Sequence, residues 1–191
     1  LTAHWAQSDE FIDGLAGLPD MLEAAFALDW HGAIAPLETA VNMFVVGRGF
    51  GLGIANEAAL KFKETCGLHA ESYSAAEVKH GPMTLVKKDF PVLAFSSRDE
   101  SQASIDDVVP DSTGRGARVL SAGRAYKGAI NLPSVQCRLP ELLPMTHILS
   151  FYKFVNAYFT FSGIQNDKAK IFSSSQLHDE VIQIRKANKA K

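Results

Sequence analysis

Residues 41–86 read VNMFVVGRGFGLGIANEAALKFKETCGLHAESYSAAEVKHGPMTLV. An apolar run, Met43 to Val46, stops at glycines on alternate positions, Gly47, Gly49, Gly51 and Gly53. A helical pattern follows at once. Strand, glycine turn and helix N-terminus together let a ligand approach bare backbone, which makes Gly47, Arg48 and Gly49 candidate binding residues. The spacing is not the G-x-G-x-x-G dinucleotide fingerprint, and no Gly-Lys-Ser/Thr closes a phosphate loop. A tight strand-to-helix turn explains the same glycines equally well.

The helix after the turn says more. Glu57, Lys61 and Glu64 stand at i, i+4 and i+7 and form one stripe, while Ala55, Ala59, Phe62 and Cys66 repeat on the opposite side and should face the core. A solvated face braced by Glu–Lys pairs would show the same stripe. A functional reading needs a second group, and His80 is the candidate. Ser74 and Glu77 have capping-box spacing, and Gly81-Pro82 supplies a stop, so a short helix is expected over Ser74 to His80. His80 in its last turn would have carbonyl dipoles favouring the imidazolium. An exposed C-terminal histidine is the plain alternative.

The run NEAALKFKETCGLHAESYSAAEVKHGP, residues 56–82, resembles the signature of the SIS (sugar isomerase) domain family. It is most similar to the second SIS domain of glutamine–fructose-6-phosphate aminotransferases and to SIS-type glucosamine-6-phosphate deaminases. The E-x-A-L-K-x-K-E helix and the K-H-G-P end carry the resemblance, which extends more weakly from about Leu18 to about Asn156. It implies an α/β fold, a flavodoxin-like doubly wound parallel sheet. It also implies that Glu64 moves a proton between C1 and C2 of a phosphosugar. His80 matches the histidine that opens the sugar ring and reaches into a neighbouring subunit's site. Lys61 and Glu57 match the charged residues that support the carboxylate, and Lys79 matches the lysine beside the histidine. Family enzymes usually hold two SIS domains in one polypeptide, and this chain of 191 residues is too short for both.

The composition, 47% hydrophobic with a net charge of −2, describes an ordinary globular chain without a basic field for nucleic acid or anionic membrane. Cys66 and Cys137 lie far apart and outside any C-x-x-C pattern, which suggests a reduced, cytoplasmic setting. Neither a signal peptide nor an apolar run of membrane-spanning length stands out. The chain begins at Leu1 and not Met, as a piece of a longer protein would.

Residues 1–40 read as a helical arm, with Ser8 as an N-cap, Pro19 at a helix start and His31 in a surface turn. Its apolar surface could lack its natural partner here, because the corresponding family helices pack on the first SIS domain. Residues 41–163 are the expected SIS domain. Phe90 to Ser96 is expected to be a buried parallel strand. Ser96, Ser97, Ser101 and Ser104 after it could cradle a phosphate, but Asp99 and Glu100 oppose an anion, and a helix N-terminus with acidic residues is preferred. A helix over Gln102 to Val109 should be cut by Pro110. Strands are expected at Arg118 to Ser121, Gly128 to Leu132 and Val135 to Leu139. A closing helix, Leu142 to Phe161, should bury Leu142, Met145, Leu149, Tyr152 and Val155, with His147 as a packing residue. Residues 164–191 form an unassigned tail, in which Gln176 to Lys189 has amphipathic spacing. Lys168 and Lys170 lie in it without the family's lysine pattern.

The expectation is therefore one SIS domain acting on a hexosamine- or hexose-6-phosphate by carboxylate-mediated proton transfer. No metal or cofactor is called for. The expected partners are the phosphosugar, a second copy in a homodimer with a shared active site, and a first SIS domain in the same or a separate chain. The alternative is a non-catalytic module that senses phosphosugar.

Overall fold

The computed structural model describes residues 7–162. One sheet of five parallel strands runs in the order β2-β1-β3-β4-β5. The strands are β1 (Asn42–Gly47), β2 (His69–Ser74), β3 (Pro91–Phe95), β4 (Arg118–Ala122) and β5 (Ile130–Leu132). This is the flavodoxin-like doubly wound order, with its switch point between β1 and β3. The helices are α1 (Asp9–Ala16), α2 (Leu18–Ala27), α3 (Ile34–Leu37), α4 (Gly51–Cys66), α5 (Gln102–Gly114) and α6 (Leu143–Ser162).

Every residue of β3 is buried, and β1 is buried after Asn42, as parallel strands covered on both faces require. Side chains alternate along β1 and divide the core. Met43 and Val45 join Ala55, Ala59 and Phe62 of α4 and Phe151 and Phe154 of α6 on one face. Phe44 and Val46 join Val78, Met83 and the α5 residues Ile105, Val108 and Val109 on the other.

The arm begins as expected: the Ser8 hydroxyl accepts from Phe11 N–H at 3.2 Å, and Pro19 lies in the first turn of α2. It is not one continuous helix, since the chain breaks after Ala27 and re-forms as a 3-10 turn and α3. α2 packs Leu22 and Ala25 against Leu149 of α6, and Lys153 of α6 donates to the Phe26 and Leu28 carbonyls (2.8 and 3.0 Å). α1 buries none of its residues.

Three expectations fail for identifiable reasons, and a fourth holds in part. The capped helix Ser74 to His80 does not form. Ser74 instead ends β2, a sheet-edge strand whose HAESYS sequence is too polar to stand out, and only a 3-10 turn, Val78–His80, follows. Its three residues do not sum a helix dipole over His80. Pro110 does not end α5, because Ile105, Val108, Val109 and Ser112 keep the buried spacing across it and Pro110 lies on the outward side. Val135 to Leu139 is not a strand. Val135 packs on the α2–α6 contact and Cys137 and Leu139 on Leu142 and Leu143, so their apolar side chains cover helices and not the sheet. In the closing helix the buried face is broader than the expected stripe: Leu142, Leu149, Val155 and the packing residue His147 are buried and Tyr152 partly so, but Met145 is exposed and Thr146, Ser150, Phe151 and Phe154 are buried as well. The tail, with Lys168, Lys170 and Gln176 to Lys189, lies outside the described residues.

Candidate active site

The stripe on α4 forms. Alanines at 55, 58 and 59 and Phe62 seat one side of the helix in the core, which turns Glu57, Lys61 and Glu64 outward in register. Lys61 Nζ lies 2.8 Å from Glu64 Oε2 and 3.6 Å from Glu57 Oε1. The lysine side chain is only 19% exposed and Glu64 is 49% exposed, so a shielded cation stands beside a carboxylate that solvent or substrate can reach. The hydrogen bond to Glu64 raises the Lys61 pKa, outweighing partial burial and aided by Glu57. Lys61 therefore stays an ammonium, and the pair can supply a carboxylate base with a fixed counter-charge.

Tyr152 of α6, absent from the sequence-derived site, donates its hydroxyl to Glu57 Oε1 at 2.8 Å. It is 95 residues away along the chain, so no local pattern could have announced it. Partial burial, then the Glu57 bond, pushes the phenol pKa up, and it remains a donor throughout the neutral range.

The glycine turn sits at the switch point. The Gly47 carbonyl accepts from Ala75 N–H (2.9 Å), and a Cβ on Gly47 would come 2.3 Å from the Gly51 carbonyl oxygen. Arg48 reaches the Ser74 hydroxyl at 2.9 Å, tying the β1 loop to the end of β2. Gly49 has φ +54°, and a side chain there would meet Asp99 and Ser101. Asp99 itself accepts from the Ser97 hydroxyl (2.9 Å), from the Ser101 N–H (2.8 Å) and hydroxyl, and from the Phe50 N–H. Partial burial works to raise this carboxyl, but those hydrogen bonds prevail and hold it below the usual carboxylate range. The serine loop is thus occupied by the chain's own anion, as the acidic residues suggested.

His80 is exposed at the end of its 3-10 turn, and Lys79 pairs with Asp107 of α5 at 3.0 Å. Val78 belongs to the core on the α5 face of the sheet, whereas α4 covers the other. Glu57, Lys61 and Glu64 are brought together, whereas Lys79 is turned to α5 on the far face of the sheet and His80 follows it at the end of the 3-10 turn. Among the described residues no group of three or more His, Cys, Asp or Glu is arranged to hold a metal ion. Nor is any described helix long and apolar enough to cross a membrane.

A family model described as a SIS domain matches residues 37–122, which contain β1 to β4, the glycine turn, the α4 stripe and His80. The chain carries a SIS domain. It is 39% identical over 111 residues to the isomerizing glutamine–fructose-6-phosphate aminotransferase of Chlorobaculum tepidum, across 56% of this chain and 18% of that protein. Against the human aminotransferase 2 it is 32% identical over 157 residues, across 75% of this chain and 23% of the relative. A crystal structure from Silicibacter pomeroyi DSS-3, provisionally assigned as a phosphosugar isomerase, superimposes with a TM-score of 0.77 at 40% identity. That superposition covers 85% of this chain and 50% of the other. The SIS chain thus spans about a quarter or less of the aminotransferases. The C-terminal domain of the Francisella tularensis aminotransferase, at 22% identity and a TM-score of 0.60, shares the fold.

Proposed function

We propose that this SIS domain is the second half of a phosphosugar aldose–ketose isomerase, aminotransferase or deaminase acting on a hexosamine- or hexose-6-phosphate. The observation that carries the reading is the 2.8 Å contact between Lys61 and Glu64 on an outward helix face. Interconverting ketose and aldose removes a proton from one of C1 and C2 and returns one to the other, through an enediol-type intermediate, with no net oxidation. Glu64 is the group that carries this proton. An ionised carboxylate held by an ammonium can accept it, and the same carboxyl gives it back. Lys61 orients the carboxylate, with Glu57 as the second anion beside the ammonium, and Gly47, Arg48 and Gly49 line the approach at the end of β1.

A ring-closed sugar must first open, which moves a proton onto its ring oxygen. His80 is assigned this step, in the site of a second copy, a reading supported by its 3-10 turn packing through Val78 on the face of the sheet opposite α4. The working unit is accordingly a homodimer with a shared active site, together with a first SIS domain in the same or a separate chain. We place it in the cytoplasm, in keeping with the free thiols of Cys66 and Cys137.

The test is solvent-deuterium exchange. Incubated in D2O with the complete enzyme, glucosamine-6-phosphate or fructose-6-phosphate should acquire deuterium at C2 or C1. Sugar-dependent protection of the protein without any exchange would instead identify a phosphosugar-sensing module.

A further inference from the structure

Along a helix, glutamate four residues before lysine is the favoured ion-pair orientation, and lysine before glutamate is the weaker one. On that rule Lys61 should give its short contact to Glu57. The structure shows the reverse: 3.6 Å to Glu57 and 2.8 Å to Glu64. The Glu57 oxygen that faces Lys61 is the one that accepts from Tyr152. α6 fixes Tyr152 from behind, where Phe151 and Phe154 pack on Phe62 of α4.

We infer that Tyr152 is a positioning residue for the proton shuttle: by holding Glu57 from the neighbouring helix, it leaves the Lys61 ammonium to Glu64. The inference rests on the reading of Glu64 as the shuttle. It adds a residue that touches neither sugar nor reacting proton and acts through two others.

Tyr152→Phe removes the hydroxyl and keeps the ring. Glu57 is then released to compete for Lys61, and Glu64 loses part of its counter-charge. In the complete enzyme kcat should fall about tenfold with KM changed by less than about twofold. Adding Glu57→Gln removes the competitor, so the double variant should be faster than Tyr152→Phe alone. A purely structural tyrosine would make the double variant no faster, and that result overturns the inference.

The same question can be asked without turnover. The side-chain carboxyl 13C signal of Glu64, assigned with Glu64→Gln, should shift in Tyr152→Phe and return in the double variant. If no variant, wild type included, exchanges sugar protons, the proposed function fails, and the 13C shifts alone decide the role of Tyr152. An unmoved Glu64 signal in Tyr152→Phe would then reject it.

Discussion

Glu64 stands on α4, whose buried side packs on Met43 and Val45, whereas His80 ends the 3-10 turn whose Val78 packs with Phe44 and Val46 on the other face of the sheet. The proposed composite site accordingly draws Glu64 and His80 from two chains. On that proposal, two-fold association would supply each site with a histidine from the other subunit.

Mixing complete His80→Ala enzyme with complete Glu64→Gln enzyme should recover part of the activity that each lacks alone. The hybrid dimer contains one site with both groups intact. Absence of recovery, with subunit exchange demonstrated by mass spectrometry, would show that each chain uses its own histidine.

His147 gives the fold a defined sensitivity to acid. It is 3% exposed, bonded to the Ser134 hydroxyl at 2.9 Å, and burial pushes its imidazole down to about 4. The unfolded chain takes up this proton near its ordinary value of about 6.5, while the folded chain refuses it. Stability from this group is therefore full above that value and declines as pH falls toward 4. Urea unfolding at pH 5 should give about 2 kcal/mol less stability than at pH 7 from His147 alone. His147→Asn should show a smaller difference between the two pH values, and an equal difference would mean that other groups cause it.

How much of this was readable follows where the determining contacts are local. The spacing of Ala55, Ala59, Phe62 and Cys66 placed the α4 stripe correctly, and the apolar runs at Met43 and Phe90 gave the central strands. The edge strand β2 was missed because an edge needs less burial, and its Glu71 and Ser72 look like a loop. Pro110 misled because tertiary burial on both sides of it outweighed one lost helical hydrogen bond. Tyr152 and the position of His80 depend on how α6 and the 3-10 turn dock, which no window of sequence contains.

The chain by itself should bind phosphosugar weakly. Asp99 already uses the Ser97 and Ser101 donors of the serine loop, so an added phosphate there meets a carboxylate. Charge-assisted hydrogen bonds to phosphate supply much of a small sugar phosphate's affinity. Calorimetry with glucosamine-6-phosphate or fructose-6-phosphate should give a dissociation constant no tighter than about 1 mM, or about −4 kcal/mol. Micromolar binding would show that the phosphate is held by groups other than this loop.

The central claim, that Glu64 moves the proton, is tested most directly by the rate at which solvent deuterium enters the sugar in the complete Glu64→Gln enzyme. Glutamine keeps the shape and surface position of this half-exposed side chain but cannot accept the proton. Exchange should fall by about 100-fold or more while the unfolding midpoint barely moves. Exchange at the wild-type rate in the folded variant would take the chemistry away from the α4 stripe and leave Glu57, Lys61 and Glu64 as a braced helix surface.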